Sequence, residues 1–372
     1  MSMEKQRIIT AAENYRELDQ WIRETGGRIL LVCDPSIQFQ KAFCAHLKEL
    51  EDAGTEIIRF SDFQPNPLYE SALKGAVLFR EKKCCGIIAV GGGSAMDVAK
   101  CIKLFSNMDL DQHCLRQEIV PNDVPLLAMP TTAGTGSEAT RFAVIYDQGA
   151  KQSVAHESCI PGTVLLDPAC LNTLPLYQKK ATMMDALSHG IESFWSLNST
   201  EESRVYSREA IRGVMAHMEG YLANTEEGNA GMLRAANTAG KAINITQTTA
   251  GHAMCYKITS LFGASHGHAA ILCNRILYPW TLEHAAECSD PRGEAYLRGV
   301  LDDIAECLGC DGAQAGVQKL QAIFKELALD VPAATPEQYE ILKNSVNPVR
   351  LKNHPIPMTT EIMDALYHQI LR

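Results

Sequence analysis

The sequence predicts an α/β domain built on a parallel sheet over residues 1–173, followed by an all-α domain over residues 174–372. Three observations carry this. From about residue 27 to 170, short β-branched or apolar runs alternate with longer helix-period segments, the pattern of βαβ units. From about residue 176 onward the chain shows long helix-period stretches with few strand signals. The change of texture falls at LLDPACLNTLP, where Pro168 and Pro175 mark a break. A length of 372 residues also exceeds one core of ordinary size and suits two domains.

In order along the chain, RILLVCD reads as a strand ending at Asp34, KAFCAHLKELEDAG as a helix with a glycine stop, and EIIRF as a second strand. ALKGAVLFREKKC is a second helix, GIIAV a third strand, AMDVAKCIKLF a third helix and VPLLAMP a fourth strand. Beyond the break, YQKKATMMDALSHGIESFWSL, EESRVYSREAIRGVMAHMEGYL and RAANTAGKAINITQTTAGHAMCYKITSLF each carry the helical period. No internal repeat, charge block or biased segment interrupts them.

Composition narrows the partners. The chain has 34 Lys and Arg against 44 Asp and Glu, a net charge of -10, which offers no basic stripe for a phosphodiester backbone and argues against nucleic acid. A negative field also repels small anions, so any anionic ligand needs local dipoles and a few placed cations. The 13 cysteines are odd in number and scattered, with Cys84 and Cys85 inside an apolar run, which suits reduced thiols and a cytoplasmic protein. The first residues lack an apolar leader pattern, and no run approaches the ~18 apolar residues of a membrane span. Cys307 and Cys310 form one isolated C-x-x-C, without the second pair or the strand-helix context of a redox or zinc site.

Four constellations carry chemistry. In GIIAVGGGSAMDVAK a strand runs into Gly91, Gly92 and Gly93, after which Ser94 and Asp97 form a Ser-x-x-Asp box expected to cap a helix. Glycines there admit close backbone approach, and the helix N-terminus offers amides and a positive dipole to a pyrophosphate. Met96 stands where G-x-G-x-x-G would place its last glycine, and a tight turn is the alternative reading. In AMPTTAGTGSEATRF, Thr131, Thr132, Gly134, Thr135, Gly136 and Ser137 follow a strand as a phosphate- or amide-gripping loop would. Asp34, at a strand end, can bond ribose hydroxyls and repel a 2'-phosphate, which favours NAD over NADP, although it precedes the glycine loop instead of following it. Finally, Asp185 and His189 lie four apart on one helix face, and His252, His266 and His268 crowd into HAMCYKITSLFGASHGHA. Gly263 can end one helix and Ser265 cap the next, so that these imidazoles converge from two helices. One carboxylate with two or three imidazoles suits Fe²⁺ or Zn²⁺.

Taken together, GGGSAMDVAK, PTTAGTGSEATRFAVI, MDALSHGIES and HGHAAIL resemble, in order and spacing over nearly the whole chain, the iron-containing (group III) alcohol dehydrogenase family. The resemblance implies a Rossmann-like N-terminal domain that binds NAD(P), a helical C-terminal domain, a divalent metal, and a homodimer or higher homo-oligomer. It implies Asp185, His189, His252 and His266 as metal ligands. Asp34, Gly92, Gly93, Ser94, Asp97, Thr131, Thr132, Ser137 and Lys151 match the family's nucleotide contacts, with Asn66, Gly91 and Thr135 completing the candidate set. Many members carry a histidine four residues after the third ligand; here that position is Tyr256, and His268 is additional, so either becomes a candidate proton relay. NITQTTAGHAMCYKITSLFGASHGHA is similar to the branch that reduces phosphonoacetaldehyde to 2-hydroxyethylphosphonate. Lys257, Arg350 and Asn353 are then candidates for an anionic head group.

The expected activity is reversible hydride transfer between NAD(P)H and a short aldehyde, with a Lewis-acidic metal at the carbonyl and the reaction in a cleft between the domains. A general alcohol dehydrogenase acting on other aldehydes is the alternative within the family. A lyase resembling dehydroquinate synthase, with no net NADH consumption, and a non-catalytic sensor are the alternatives outside it.

Overall fold

The computed structural model describes residues 6–372. The chain divides into two compact units: one takes in the chain up to Thr132 together with Gly136–Leu174, the other Pro175–Arg372 together with Ala133–Thr135.

The first unit contains β1 (Arg7–Thr10), α1 (Ala12–Thr25), β2 (Arg28–Cys33), α2 (Lys41–Asp52), β3 (Glu56–Phe60), α3 (Tyr69–Glu81), β4 (Gly86–Gly91), α4 (Gly93–Phe105), β5 (Leu126–Pro130), β6 (Phe142–Asp147), β7 (Ala150–Ala155) and β8 (Thr163–Leu166). Six strands form one parallel sheet in the order β1-β8-β5-β4-β2-β3, and β6 and β7 form a separate antiparallel hairpin. The four strands expected from sequence are β2, β3, β4 and β5. Of these β2, β4 and β5 read as unbroken apolar runs because both faces of a parallel sheet are covered. Alternate residues Ile29, Leu31, Ile88, Val90, Leu127 and Met129 pack with Leu18, Phe43 and Leu47. Truncating one of these leucines or isoleucines to alanine costs about 2–5 kcal/mol.

The second unit is helical: α5 (Leu176–Trp195), α6 (Glu201–Leu222), α7 (Glu226–Thr246), α8 (Ala250–Phe262), α9 (His266–Glu283), α10 (Glu294–Cys307), α11 (Ala313–Leu327), α12 (Pro336–Ser345), α13 (Pro348–Leu351) and α14 (Thr360–Ile370). Helix α5 is buried without interruption from Met183 to Trp195, so it has no solvent face and forms the centre of the unit. Helices α6 and α7 make a hairpin that crosses closely at Gly220 and Gly228, where a Cβ on Gly228 would strike the Gly220 backbone.

Two local expectations are corrected. RAANTAGKAINITQTTAGHAMCYKITSLF, which has one helical period, is two helices: Gln247 leaves the helical region at φ 58 and ψ 174, and α8 begins at Ala250. Gly263 does end α8, at φ 68, and Ser265 does precede α9, but the Ser265 hydroxyl donates to Gln178 Oε1 (3.3 Å) and caps no amide. No helix among the described residues is long and apolar enough to cross a membrane.

Candidate metal centre and nucleotide loops

In the first unit, the register Cys33↔Val90 and Gly91↔Pro130 brings the carboxyl ends of three adjacent strands level. Asp34, the glycine turn and the Thr131 loop therefore leave one edge of the sheet. Between β2 and β4 the winding changes direction, the crevice where open α/β sheets take ligands. Gly91 has φ 150, and a Cβ there would lie 2.7 Å from Ala95 Cβ and 3.0 Å from Asp34 Oδ2, so this turn requires glycine. Asp34 Oδ1 accepts from Ser36 N–H (2.8 Å), while Oδ2 faces the glycine turn. Asn66 sits in the β3–α3 loop, exposed and left-handed at φ 59.

The expected Ser94–Asp97 capping box is not formed. Helix α4 starts at Gly93 with Gly92 at the cap position and no side-chain cap, so its first amides point outward from a glycine turn. Asp97 is turned inward: Oδ1 accepts from Ser137 Oγ (3.0 Å) and Oδ2 from Val144 N–H (3.1 Å). Lys100, one turn of α4 after Met96, completes this knot. Its buried Nζ donates to Ser137 O (2.6 Å), Ser137 Oγ (2.9 Å), Thr140 Oγ1 (3.1 Å) and Phe142 O (2.8 Å). Burial pushes the Asp97 carboxyl up and the Lys100 ammonium down, and each opposes the other's shift. Asp97 and Ser137 thus shape the loop; Thr131, whose N–H donates to Gly91 O (3.0 Å), ties it to the glycine turn. Thr132 lies 3.6 Å from where a Gly92 Cβ would stand. Lys151 is on β7 opposite Tyr146, and Thr135 belongs to the short segment counted with the helical unit.

In that unit, three of the four expected ligands converge: single ligand atoms of Asp185, His189 and His252 all lie within 4.8 Å of one another, and all three residues are buried. Asp185 and His189 share a face of α5, and α8 brings His252, whose Nε2 is 3.3 Å from Asp185 Oδ1. His266, the first residue of α9, has Nε2 4.0 Å from Asp185 Oδ1 and is the exposed member at 37% side-chain exposure. Gly267 permits that approach, since a Cβ there would stand 2.5 Å from Asp185 Cβ and strike the Ala181 carbonyl.

Charges in the cluster are mutually adjusted. Burial pushes His189 down to about 4, against the pull of Asp185. Burial would also lower His252, but Glu192 and Asp185 overrule it and push it up to about 10. Asp185, despite burial, is held well below the usual carboxylate range by the three imidazoles. His189 Nδ1 is buried with no hydrogen-bond partner. One carboxylate oxygen, two buried imidazoles with an orphaned ring nitrogen, and a third imidazole at the rim fit a divalent cation.

The flanking candidates divide. Tyr256 stacks on His266 with ring centroids 5.4 Å apart, and Arg350 Nη1 donates to its hydroxyl (3.2 Å) with the guanidinium over the ring. Burial pushes the Tyr256 phenol far up. Lys257 is on the following position of α8, half-buried. Two further candidates have partners of their own. His268 lies outside the Asp185–His189–His252 group: Nδ1 pairs with Tyr177 Oη (3.0 Å) and Nε2 with Asp330 O (2.9 Å). Asn353 is a brace: its amide donates to Thr248 O (3.3 Å) and accepts from Asn198 Nδ2 (3.0 Å), engaging both ends of the side chain.

Comparison with known proteins gives the family. Residues 5–168 match the iron-containing alcohol dehydrogenase family, and residues 179–371 match the C-terminal domain of the same family. The chain belongs to the iron-containing alcohol dehydrogenase family. Among its relatives, the phosphonoacetaldehyde reductase of Streptomyces viridochromogenes is 34% identical over 62% of this chain, a segment spanning 62% of that protein's length. The 1,3-propanediol dehydrogenase of Klebsiella pneumoniae is 30% identical over 82% of this chain and 77% of its own. The sulfoacetaldehyde reductase of Bifidobacterium kashiwanohense, solved in complex with NAD+, has the same fold: TM-score 0.86 and 24% identity over 98% of this chain and 96% of that one.

Proposed function

We propose that this protein interconverts a short aldehyde and its primary alcohol with NAD(H) and a divalent metal, Fe²⁺ or Zn²⁺, and that its substrate carries an anionic head group, phosphonoacetaldehyde and 2-hydroxyethylphosphonate being the favoured pair. The observation that carries the first part is the convergence of Asp185, His189 and His252, with His266 at the rim. The second part is supported by the Arg350–Tyr256 pair stacked on His266 and by the name of the Streptomyces relative.

When bound, the metal supplies Lewis-acid polarisation of a carbonyl and the nicotinamide supplies or accepts hydride. The chain's residues do the rest. Asp185, His189, His252 and His266 hold the ion. The α4 amides after Gly92 take the pyrophosphate, and Asp34 accepts from ribose hydroxyls and repels a 2'-phosphate, so NAD is favoured over NADP. Arg350 presents a planar cation beside the exposed ligand His266 and Lys257 a point charge one residue beyond Tyr256; both suit a phosphonate. Tyr256 orients the guanidinium through its ring and hydroxyl. Short-range cations of this kind overcome the repulsion of a chain with net charge -10. Its thiols suit a reducing, cytoplasmic setting.

The test is a panel of aldehydes with NADH and NADPH, comparing phosphonoacetaldehyde with uncharged aldehydes of similar size. Expected is NADH consumption with a kcat/KM at least about tenfold higher for the phosphonate, one charge-assisted contact's worth. Equal efficiencies would remove the anionic head group and leave a general alcohol dehydrogenase. No NADH consumption with any aldehyde would overturn the whole reading in favour of lyase chemistry.

A further inference from the structure

Behind the ligand cluster lies a carboxylate to which the proposed reaction gives no part. Glu192 is on α5, three residues after His189 and seven after Asp185, hence on the same helix face, and it is fully buried. Five donors from outside α5 converge on it. Oε1 accepts from His252 Nδ1 (2.5 Å) and Asn274 Nδ2 (2.8 Å); Oε2 accepts from Thr249 N–H (2.6 Å), Thr249 Oγ1 (2.9 Å) and, at longer range, His252 N–H (3.4 Å). Thr249 is the cap residue of α8 and has no side-chain cap of its own, so the Glu192 carboxylate serves as cap from another helix. One group therefore anchors both the start of α8 and the ring of the ligand that α8 carries.

We propose that Glu192 is a positioning residue of the metal centre: by accepting from Nδ1–H it fixes His252 in the tautomer and rotamer that present Nε2 to the ion beside Asp185. A ring whose Nδ1 carries the proton has its lone pair on Nε2, and Nε2 is the atom 3.3 Å from Asp185 Oδ1. A carboxylate behind the imidazole also makes it a stronger donor. Charge gives a second reason, because two buried carboxylates, Asp185 and Glu192, would balance the charge of a divalent ion. Gly251 is independent support. A Cβ at that position would stand 2.5 Å from Glu192 Oε1 and would strike the Asn274 amide, so the residue before His252 has no room for a side chain while the carboxylate holds its place.

This inference rests on the metal centre proposed above, and the experiment separates the two. Metal affinity of the full chain is measured by competing Co²⁺ or Zn²⁺ against a chelator, for the parent and for Glu192→Gln, Glu192→Asp and Gly251→Ala, with NAD(H) binding as the control for folding. In parallel, the imidazole proton and ¹⁵N resonances of the Zn²⁺-loaded parent are recorded. Expected are a roughly 10–100-fold loss of metal affinity in Glu192→Gln, a smaller loss in Glu192→Asp, and unchanged NAD(H) affinity. The parent should show a downfield Nδ1–H resonance from His252 that Glu192→Gln abolishes. A parent that binds no metal overturns the metal centre itself. A parent that binds metal with His252 protonated on Nε2, or any folded variant of the three that binds as tightly as the parent, overturns the role of Glu192 alone. The spectrum of the parent decides the matter even if every variant misfolds.

Discussion

His252 and His266 are ligands of unequal standing, and their environments say how a substitution at each will read out. His252 is sealed between two carboxylates, whereas His266 is the exposed ligand, placed at the start of α9 with its ring against Tyr256. His266→Ala should therefore leave the fold and nucleotide affinity intact while metal content by elemental analysis and turnover are lost; activity persisting in protein stripped of metal would refute the mechanism. His252→Ala should in addition lower stability, because it leaves Glu192 buried with its Nδ1–H donor gone, a loss of about 3–5 kcal/mol for one partner of a buried charged pair. Arg350 is tested at the same scale. Arg350→Met should raise KM for phosphonoacetaldehyde at least about tenfold and leave an uncharged aldehyde nearly unchanged, since the planar cation acts on the head group and not on the carbonyl. What was legible here was residue type in sequence spacing: Asp185 to His189, and the histidines around Gly263. What was not legible was Glu192 and Lys100, because a helical glutamate or lysine reads as a solvated residue until the fold shows what surrounds it. The usable signals were faint: Glu192 repeats the face of Asp185 and His189, and a glycine precedes His252 inside a helix.

Secondary-structure elements show where periodicity suffices and where a single side chain decides. The helical period runs unbroken from α7 into α8, yet the chain leaves the helix at Gln247, and two residues on, the Thr249 amide bonds a buried carboxylate instead of a helical carbonyl. Sequence assigned the cap of α4 to Ser94, but Gly92 takes it, since Asp97 is drawn inward by Ser137 and Val144. The four-residue strands β1 and β8 and the β6–β7 hairpin are not legible in sequence: each sheet strand is too short to establish a period, and the hairpin is only partly buried. The prediction at this scale concerns the knot that ties α4 to the loop after β5. Lys100→Met keeps the length of the side chain and removes its four donor contacts, leaving Asp97 without its nearest cation. Stability should fall by about 3 kcal/mol, read as a lower urea midpoint, and KM for NADH should rise as the Ser137 loop loosens. Retention of both values would show that the knot is ornamental to the loop.

At the scale of the whole molecule, the parallel sheet and the helical half were both foreseeable, because apolar runs between glycine turns and uninterrupted helical period are long-range patterns that no single residue can overrule. Stability as a function of pH is less visible in sequence, where eleven histidines suggest eleven ordinary titrations. Outside the ligand cluster, the fold sets one of them apart. His354 is 2% exposed, its Nδ1 has no hydrogen-bond partner, its ring lies 5.8 Å from that of Trp195 and 6.2 Å from that of Trp280, and burial pushes it down to about 4. Its folded pKa is therefore below its unfolded value of about 6.5, so the unfolded chain binds a proton that the folded chain refuses. The stability that depends on a neutral His354 is complete above about pH 6.5 and is lost progressively as pH falls toward 4, at about 1.4 kcal/mol per pH unit and roughly 3 kcal/mol in all. His354→Gln, which cannot take up that proton, should have a urea midpoint that falls less between pH 7 and pH 5 than the parent's. Fluorescence of Trp195 and Trp280 follows the transition in the unit that carries the residue. Equal slopes in the two proteins would mean that His354 titrates normally and that the acid limit of this fold is set elsewhere.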